Sequence, residues 1–142
     1  MLVGVEVDLA TALVRLTHVV DHVFVDAGRA NDLTPQQAQL LCLLTDGPIG
    51  MAELAKVLRL EKSSLSGLVD RVERRELVRR VRDESDRRAC WVELTGQGTK
   101  IAVATHDEVT ATLDALTADL PTVERTRLAA VLFRLASAHS GQ

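Results

Sequence analysis

Two adjacent arginines, Arg87 and Arg88, close the polar run Asp83-Glu84-Ser85-Asp86-Arg87-Arg88. Side by side they repel each other unless an anion meets them. The narrow minor groove of duplex DNA concentrates negative potential and draws inserted arginine. The same run also reads as a solvated, salt-bridged hairpin, because exposed ion pairs are common and weak. Asp83, Glu84 and Asp86 gain nothing from DNA by charge, so Asp86 is expected to pair with a neighbouring arginine and fix the loop's shape. Upstream, Lys62, Ser63, Ser64, Ser66, Gly67 and Arg71 share the polar side of a helical segment. Serine hydroxyls bond bases or phosphates, and Lys or Arg reaches guanine edges or the backbone. A serine at a helix start is equally a cap.

Other reactive side chains do not converge. His18 and His22 stand at i and i+4, a spacing that suits zinc, but no cysteine is near and Asp21 and Asp26 do not obviously join them. They are expected to face solvent or an interface, with no metal bound. Cys42 lies in an apolar segment and is expected to be buried and inert, and Cys90 starts a strand and faces inward. Two cysteines are too few for a disulfide framework and read as reduced thiols of a cytoplasmic protein. The chain has no Gly-rich phosphate loop, no Ser-His-Asp order in context and no carboxylate pair on an apolar face. Neither an enzyme nor a cofactor is expected.

The elements that must position these groups are bounded by composition. With 142 residues, 46% hydrophobic and 26% charged, the chain reads as one globular domain over 1–142. No run of apolar residues is long enough to span a membrane. Met1 to Ala10 carries Glu6 and Asp8 without a basic flank, unlike a secretory signal. Aromatic residues make up 2%, which leaves no stacking platform for single-stranded nucleic acid. The net charge of −3 is unevenly spread: from Arg59 to Arg88 ten basic residues meet seven acidic ones, while the rest holds seven basic against thirteen acidic. A basic middle between acidic ends suits a segment that meets an anion.

Leu9, Leu13, Leu16, Val20, Val23, Phe24 and Ala27 draw one apolar stripe on a first helix, which Gly28 and Asn31 are expected to stop. Thr34-Pro35-Gln36-Gln37 is a capping box with proline at the first helical position. Asp46-Gly47-Pro48 ends that helix. A short helix from near Gly50 and a second from about Ser63 to Arg75, joined at Arg59-Leu60, make a helix-turn-helix. The period then becomes extended: Leu77 to Arg82, the charged tip, and the alternation Cys90, Val92, Leu94 read as a two-stranded hairpin. Two more helices follow, split at Leu120-Pro121-Thr122. The expected fold class is mainly α with a small β-hairpin wing.

From Leu33 to Lys100 these pieces resemble the MarR family of bacterial transcriptional regulators. The resemblance rests on Leu33-Thr34-Pro35, Glu53-Leu54-Ala55, Leu68-Val69-Asp70-Arg71-Val72-Glu73, Asp86-Arg87-Arg88-Ala89 and Leu94-Thr95-Gly96-Gln97-Gly98, in that order and at these spacings. It implies a winged helix-turn-helix lobe over 34–95 with dimerisation helices over 5–28 and 96–139. Lys62, Ser63, Ser64, Ser66 and Arg71 then fall on the recognition helix, and Arg87 and Arg88 at wing positions facing the minor groove. Gly67 stands where many relatives carry a longer polar residue. Arg59 and Glu76 stand where glycine is common, and a positive φ there costs about 1 kcal/mol. The usual Ser or Thr cap near Pro121 is displaced to Thr122.

The chain's own pattern agrees with a homodimer. The apolar stripes of the first and last helices are long for a lobe that already has a core, and a second copy would cover them. The expected function is a dimeric, ligand-responsive repressor that binds a palindromic operator in double-stranded DNA. A small-molecule effector would wedge between the first helix and the lobe, around Leu16, Val20 and Phe24. The alternative is a winged helix used only for protein contact. Arg71, Arg87 and Arg88 separate the two, because a protein-contact module has no need of an arginine pair on a protruding tip.

Overall fold

Helix starts follow the capping chemistry of the sequence. In the computed structural model, which describes residues 7–86 and 88–140, Asp8 accepts from the Thr11 amide at 3.3 Å and opens α1, Leu9–Ala30. The expected start near Val5 lies outside the described residues. Thr34 and Gln37 exchange bonds of 3.2 and 3.1 Å, a complete capping box for α2, Pro35–Leu43. A 3-10 turn at Leu44–Asp46 and the strand β1, Ile49–Gly50, lead into α3, Met51–Leu58, and α4, Lys62–Arg74. Strands β2, Val78–Arg82, and β3, Cys90–Leu94, precede α5, Gly96–Leu116, and α6, Thr122–Ser140. Thr122 is thus a helical residue rather than a cap. Among the described residues no helix is long and apolar enough to cross a membrane.

Three helices end in one way. The amides of Leu33, Leu60 and Leu77 reach back five residues to the carbonyls of Gly28, Ala55 and Val72, at 2.7, 3.0 and 3.0 Å. Each is the long bond of a Schellman motif, which requires a left-handed residue just before it. Asp32, Arg59 and Glu76 supply it with φ of 58°, 53° and 61°. The glycine-type geometry is therefore kept at both ends of α4, without glycine. Gly28, expected as a stop, stays helical; its role is close approach, since a Cβ there would stand 2.7 Å from the Leu33 carbonyl oxygen.

The sheet has three strands, not two, in the order β1-β3-β2. Ile49 pairs with Val92 and Gly50 with Trp91, adding an edge strand too short to show any period. The hairpin register sets Val78 opposite Leu94, Arg80 opposite Val92 and Arg82 opposite Cys90. Val78 and Val92 are buried with Leu40, Leu54, Leu65 and Val72, a core shared by α2, α3, α4 and the sheet and closed by Ala102 of α5. A smaller cluster of Val23, Ala27 and Val109 joins α1 to α5, and Phe24 packs against both. The other half of α1 and all of α6 lie outside. Leu9, Val14, Val123 and Phe133 are 69%, 59%, 62% and 76% exposed.

Candidate nucleic-acid interface

The left-handed turn at Arg59 swings the chain so that α4 follows α3 after three residues. Helix α4 buries Leu65, Leu68, Val69 and Val72, and this fixes its opposite side outward. Lys62, Ser63, Ser64 and Arg71 are exposed there, with Ser66 and Gly67 half-buried. Glu61, not a serine, holds the cap position, so Ser63 and Ser64 sit inside the first turn with their hydroxyls uncommitted to capping. No Cβ occupies the space above Gly67, and the Arg71 guanidinium lies 3.8 Å from where one would be. Arg71 thus lies over the gap that the glycine leaves.

The wing tip is built by its acids. Asp83 accepts from the Ser85 amide and hydroxyl at 2.9 and 2.7 Å, and these two bonds hold its carboxyl below the usual range. Asp86 accepts the backbone N–H of Arg88 at 3.0 Å. Its partner is thus a main-chain amide and not, among the described residues, the guanidinium that was expected. Arg88 is exposed, and Arg87 lies outside the described residues. A cavity of about 620 Å³ opens between α3, α4 and the wing, lined by Lys56, Lys62, Ser66, Arg88 and Trp91 among others. The start of α4 and the outer half of the wing therefore border one opening.

Sequence reasoning missed Arg80. Its Nη1 donates to Asp70 and Glu73, both at 2.8 Å, and its backbone N–H to the second Glu73 oxygen at 3.1 Å. Its Nη2 donates to the Ser66 carbonyl at 3.2 Å and to Ser66 Oγ at 3.4 Å. Partial burial works against the charged guanidinium, but the Asp70 hydrogen bond and the two carboxylates outweigh it and raise its pKa. The usable signal was Asp70 and Glu73 at i and i+3, which marks an acidic spot on the sheet-facing flank of α4. The consequence is electrostatic: both carboxylates in the body of α4 are consumed internally. Lys62, Arg71 and Arg88 make no side-chain hydrogen bond or ion pair with any described residue.

The residues expected around an effector are not brought together within one chain. Leu16 and Val20 line a shallow groove of about 310 Å³ on α1 with Leu13, Thr17 and Asp21. Phe24, a turn further on, packs into the core instead. His18 and His22 are exposed, and among the described residues no group of three metal-ligating side chains occurs. Cys42 is half-buried, and that burial pushes its thiol up to about 11. Cys90 shares the inward face of β3 with Val92, is half-buried and lines the cavity beside Arg88.

A helix-turn-helix whose second helix stands beside an antiparallel wing is a winged helix, with two elements of the right size for the two grooves of duplex DNA. Residues 31–89 match the model of the MarR family. The transcriptional repressor NicR of Pseudomonas putida is 43% identical over 67 residues, 46% of this chain and 42% of the relative. The transcriptional regulator FarR of Neisseria gonorrhoeae is 30% identical over 86 residues, 60% of this chain and 59% of the relative. The chain thus spans less than two thirds of these curated relatives. Likeness of fold runs further: the NadR structure in complex with 4-hydroxyphenylacetate superposes with a TM-score of 0.82 at 25% identity, covering 96% of this chain and 98% of that one. The Staphylococcus aureus MepR–DNA complex gives 0.75 at 23%, covering 94% and 99%.

Proposed function

We propose that this chain is a homodimeric transcriptional regulator acting on DNA in the cytoplasm, with 34–95 as its DNA-binding lobe. In this reading α4 lies in the major groove, where Lys62, Ser63, Ser64, Ser66 and Arg71 meet bases and phosphates. Arg87 and Arg88 reach from the wing into the minor groove. The observation that carries it is that Lys62 and Arg88 border one opening and, like Arg71, make no ion pair with any described residue, while Asp70 and Glu73 are both engaged by Arg80. Counterion release from DNA phosphates turns such cations into affinity.

Support for a dimer comes from α6. Among the described residues it makes no substantial packing against any other element, and Val123, Leu128, Val131 and Leu135 stay 40–62% exposed. A lone helix of this length is marginal in water, so a second copy is the occupant that fits both it and the bare half of α1. Two lobes on one axis then read a palindrome with half-sites about one helical turn apart. NadR's complex with 4-hydroxyphenylacetate supports the further reading that small aromatic acids bind between α1 and the lobe, near Leu16, Val20 and Phe24, and lower operator affinity. The relative NicR, a transcriptional repressor, supports repression as the mode of action.

The test is selection. The purified chain is challenged with a pool of random-sequence duplexes, and bound DNA is sequenced after repeated rounds. Recovery of an inverted repeat supports the reading; recovery of no sequence at moderate salt turns it toward a protein-contact module.

A further inference from the structure

Outward from the core, one face of the hairpin carries the cross-strand pairs Val78–Leu94, Arg80–Val92 and Arg82–Cys90. Apolar packing on α4 reaches only as far as Val92, which is fully buried. Beyond it Cys90 and Ser66 already line the 620 Å³ cavity that separates the outer half of the wing from α3 and α4. At that edge the wing is held to α4 by Arg80. Its fork joins Asp70, Glu73 and the Ser66 carbonyl, and its own amide fixes the second Glu73 oxygen. Asp70, Glu73 and Ser66 span two turns of the helix, so the fork resists both rotation of α4 and swing of the strand.

We infer that Arg80 is a positioning residue that sets the angle between the recognition helix and the wing, so that both can seat in adjacent grooves at once. Its guanidinium is spent inside the protein and meets no DNA. The same contact occupies an Oγ lone pair of Ser66, which leaves that hydroxyl free to act outward as a donor. Lysine is no substitute, because a point charge lacks the planar fork that spans two carboxylates and a carbonyl. The assignment rests on the DNA-binding reading above.

The experiment is a double-mutant cycle on the duplex that the wild-type chain selects from the random pool, with variants Arg80→Met, Arg88→Ala and both together. If Arg80 positions the wing, Arg80→Met weakens binding at least tenfold. In addition Arg88→Ala, costly alone, then costs less than twofold, because the wing is already out of place. Circular dichroism establishes that each variant is folded, and Arg80→Lys, which keeps the charge, gives the same reading should Arg80→Met unfold. Equal cost of Arg88→Ala in both backgrounds, or wild-type affinity in Arg80→Met, overturns the assignment. A wild-type chain that selects no duplex overturns the DNA-binding reading itself, so the two failures are told apart.

Discussion

Gly98, in the first turn of α5, lies against the main-chain carbonyl of Leu77 so closely that no Cβ fits between them. Leu77 also accepts the Thr95 amide at 3.0 Å, and Thr95 in turn donates its hydroxyl to the Glu76 carbonyl at 2.6 Å and caps α5 through the Gly98 amide at 3.0 Å. The turn that ends α4 and the turn that begins α5 are thus one joint, and it ties the lobe to the long helices. Backbone cannot yield as a flexible side chain does. Gly98→Ala should cost about 3 kcal/mol, at the upper end for an overpacked site, and lower Tm by roughly 6–12 °C for a chain of this size. Wild-type melting of that variant would show the approach to be loose.

Arg59 and Glu76 hold the left-handed position of a Schellman motif at opposite ends of α4. A Cβ in that conformation is strained, whereas glycine is not, although glycine also loses more chain entropy on folding. The balance favours glycine by about 0.5 kcal/mol at each site. Arg59→Gly and Glu76→Gly should therefore each stabilise, and the two should add because they share no partner. Lys56→Gly, inside α3, should instead destabilise by about 1 kcal/mol. Urea unfolding of the three variants decides between a conformational cause and a general effect of glycine.

Local chemistry was legible and register was not. Thr34, Pro35 and Gln37 form a capping box whose bonds are all within four residues, so the sequence alone shows it. Arg79, Arg80 and Arg82 look alike in the chain. Only the pairing of Val78 with Leu94 sends Arg80 toward α4 while Arg79 meets Glu93 at 2.7 Å, and a slip of one residue would exchange them. Strand β1 is two residues long and carries no period. The stripe of α1 is continuous in sequence, yet α5 and the lobe cover only its second half, which parts Phe24 from Leu16 and Val20.

Cys42 titrates near 11 instead of its ordinary 9.0 because burial disfavours the thiolate. The folded state holds the proton more tightly than the unfolded one. Stability from this group is therefore full below pH 9 and is lost as pH climbs toward 11. Since the side chain is only half-buried, the loss should be on the order of 1 kcal/mol. Native Cys42 should resist iodoacetamide at pH 8 and react fully once urea unfolds the chain. Rapid alkylation of Cys42 in the native protein would contradict the burial.

Removal of both wing arginines tests the minor-groove contact. Arg87→Ala with Arg88→Ala should weaken binding to the selected duplex by at least ~2 kcal/mol, given ~1–3 kcal/mol for each good contact. The slope of log affinity against log salt should also flatten by up to about 2, one unit for each phosphate charge no longer neutralised. Unchanged affinity and slope would remove the wing from the mechanism.

Helix α6 sets the last expectation. Leu128 and Leu135 lie two turns apart on one side of it, 43% and 47% exposed in the single chain. If a second copy covers them, Leu128→Glu with Leu135→Glu places four unpaired carboxylates in one two-fold interface. A buried charge without a partner costs roughly 3–5 kcal/mol, and every 1.4 kcal/mol raises a dissociation constant tenfold. Light scattering should then report a monomer at micromolar concentration where the wild-type chain is a dimer. The lobe's core lies among α2, α3, α4 and the sheet, away from α6, so the monomer should stay folded and keep single half-site binding. Affinity for the full palindrome should fall toward that of one half-site, because the second lobe no longer arrives at the effective concentration that linkage provides. A variant that remains dimeric and binds the palindrome as before would place the interface elsewhere on the chain.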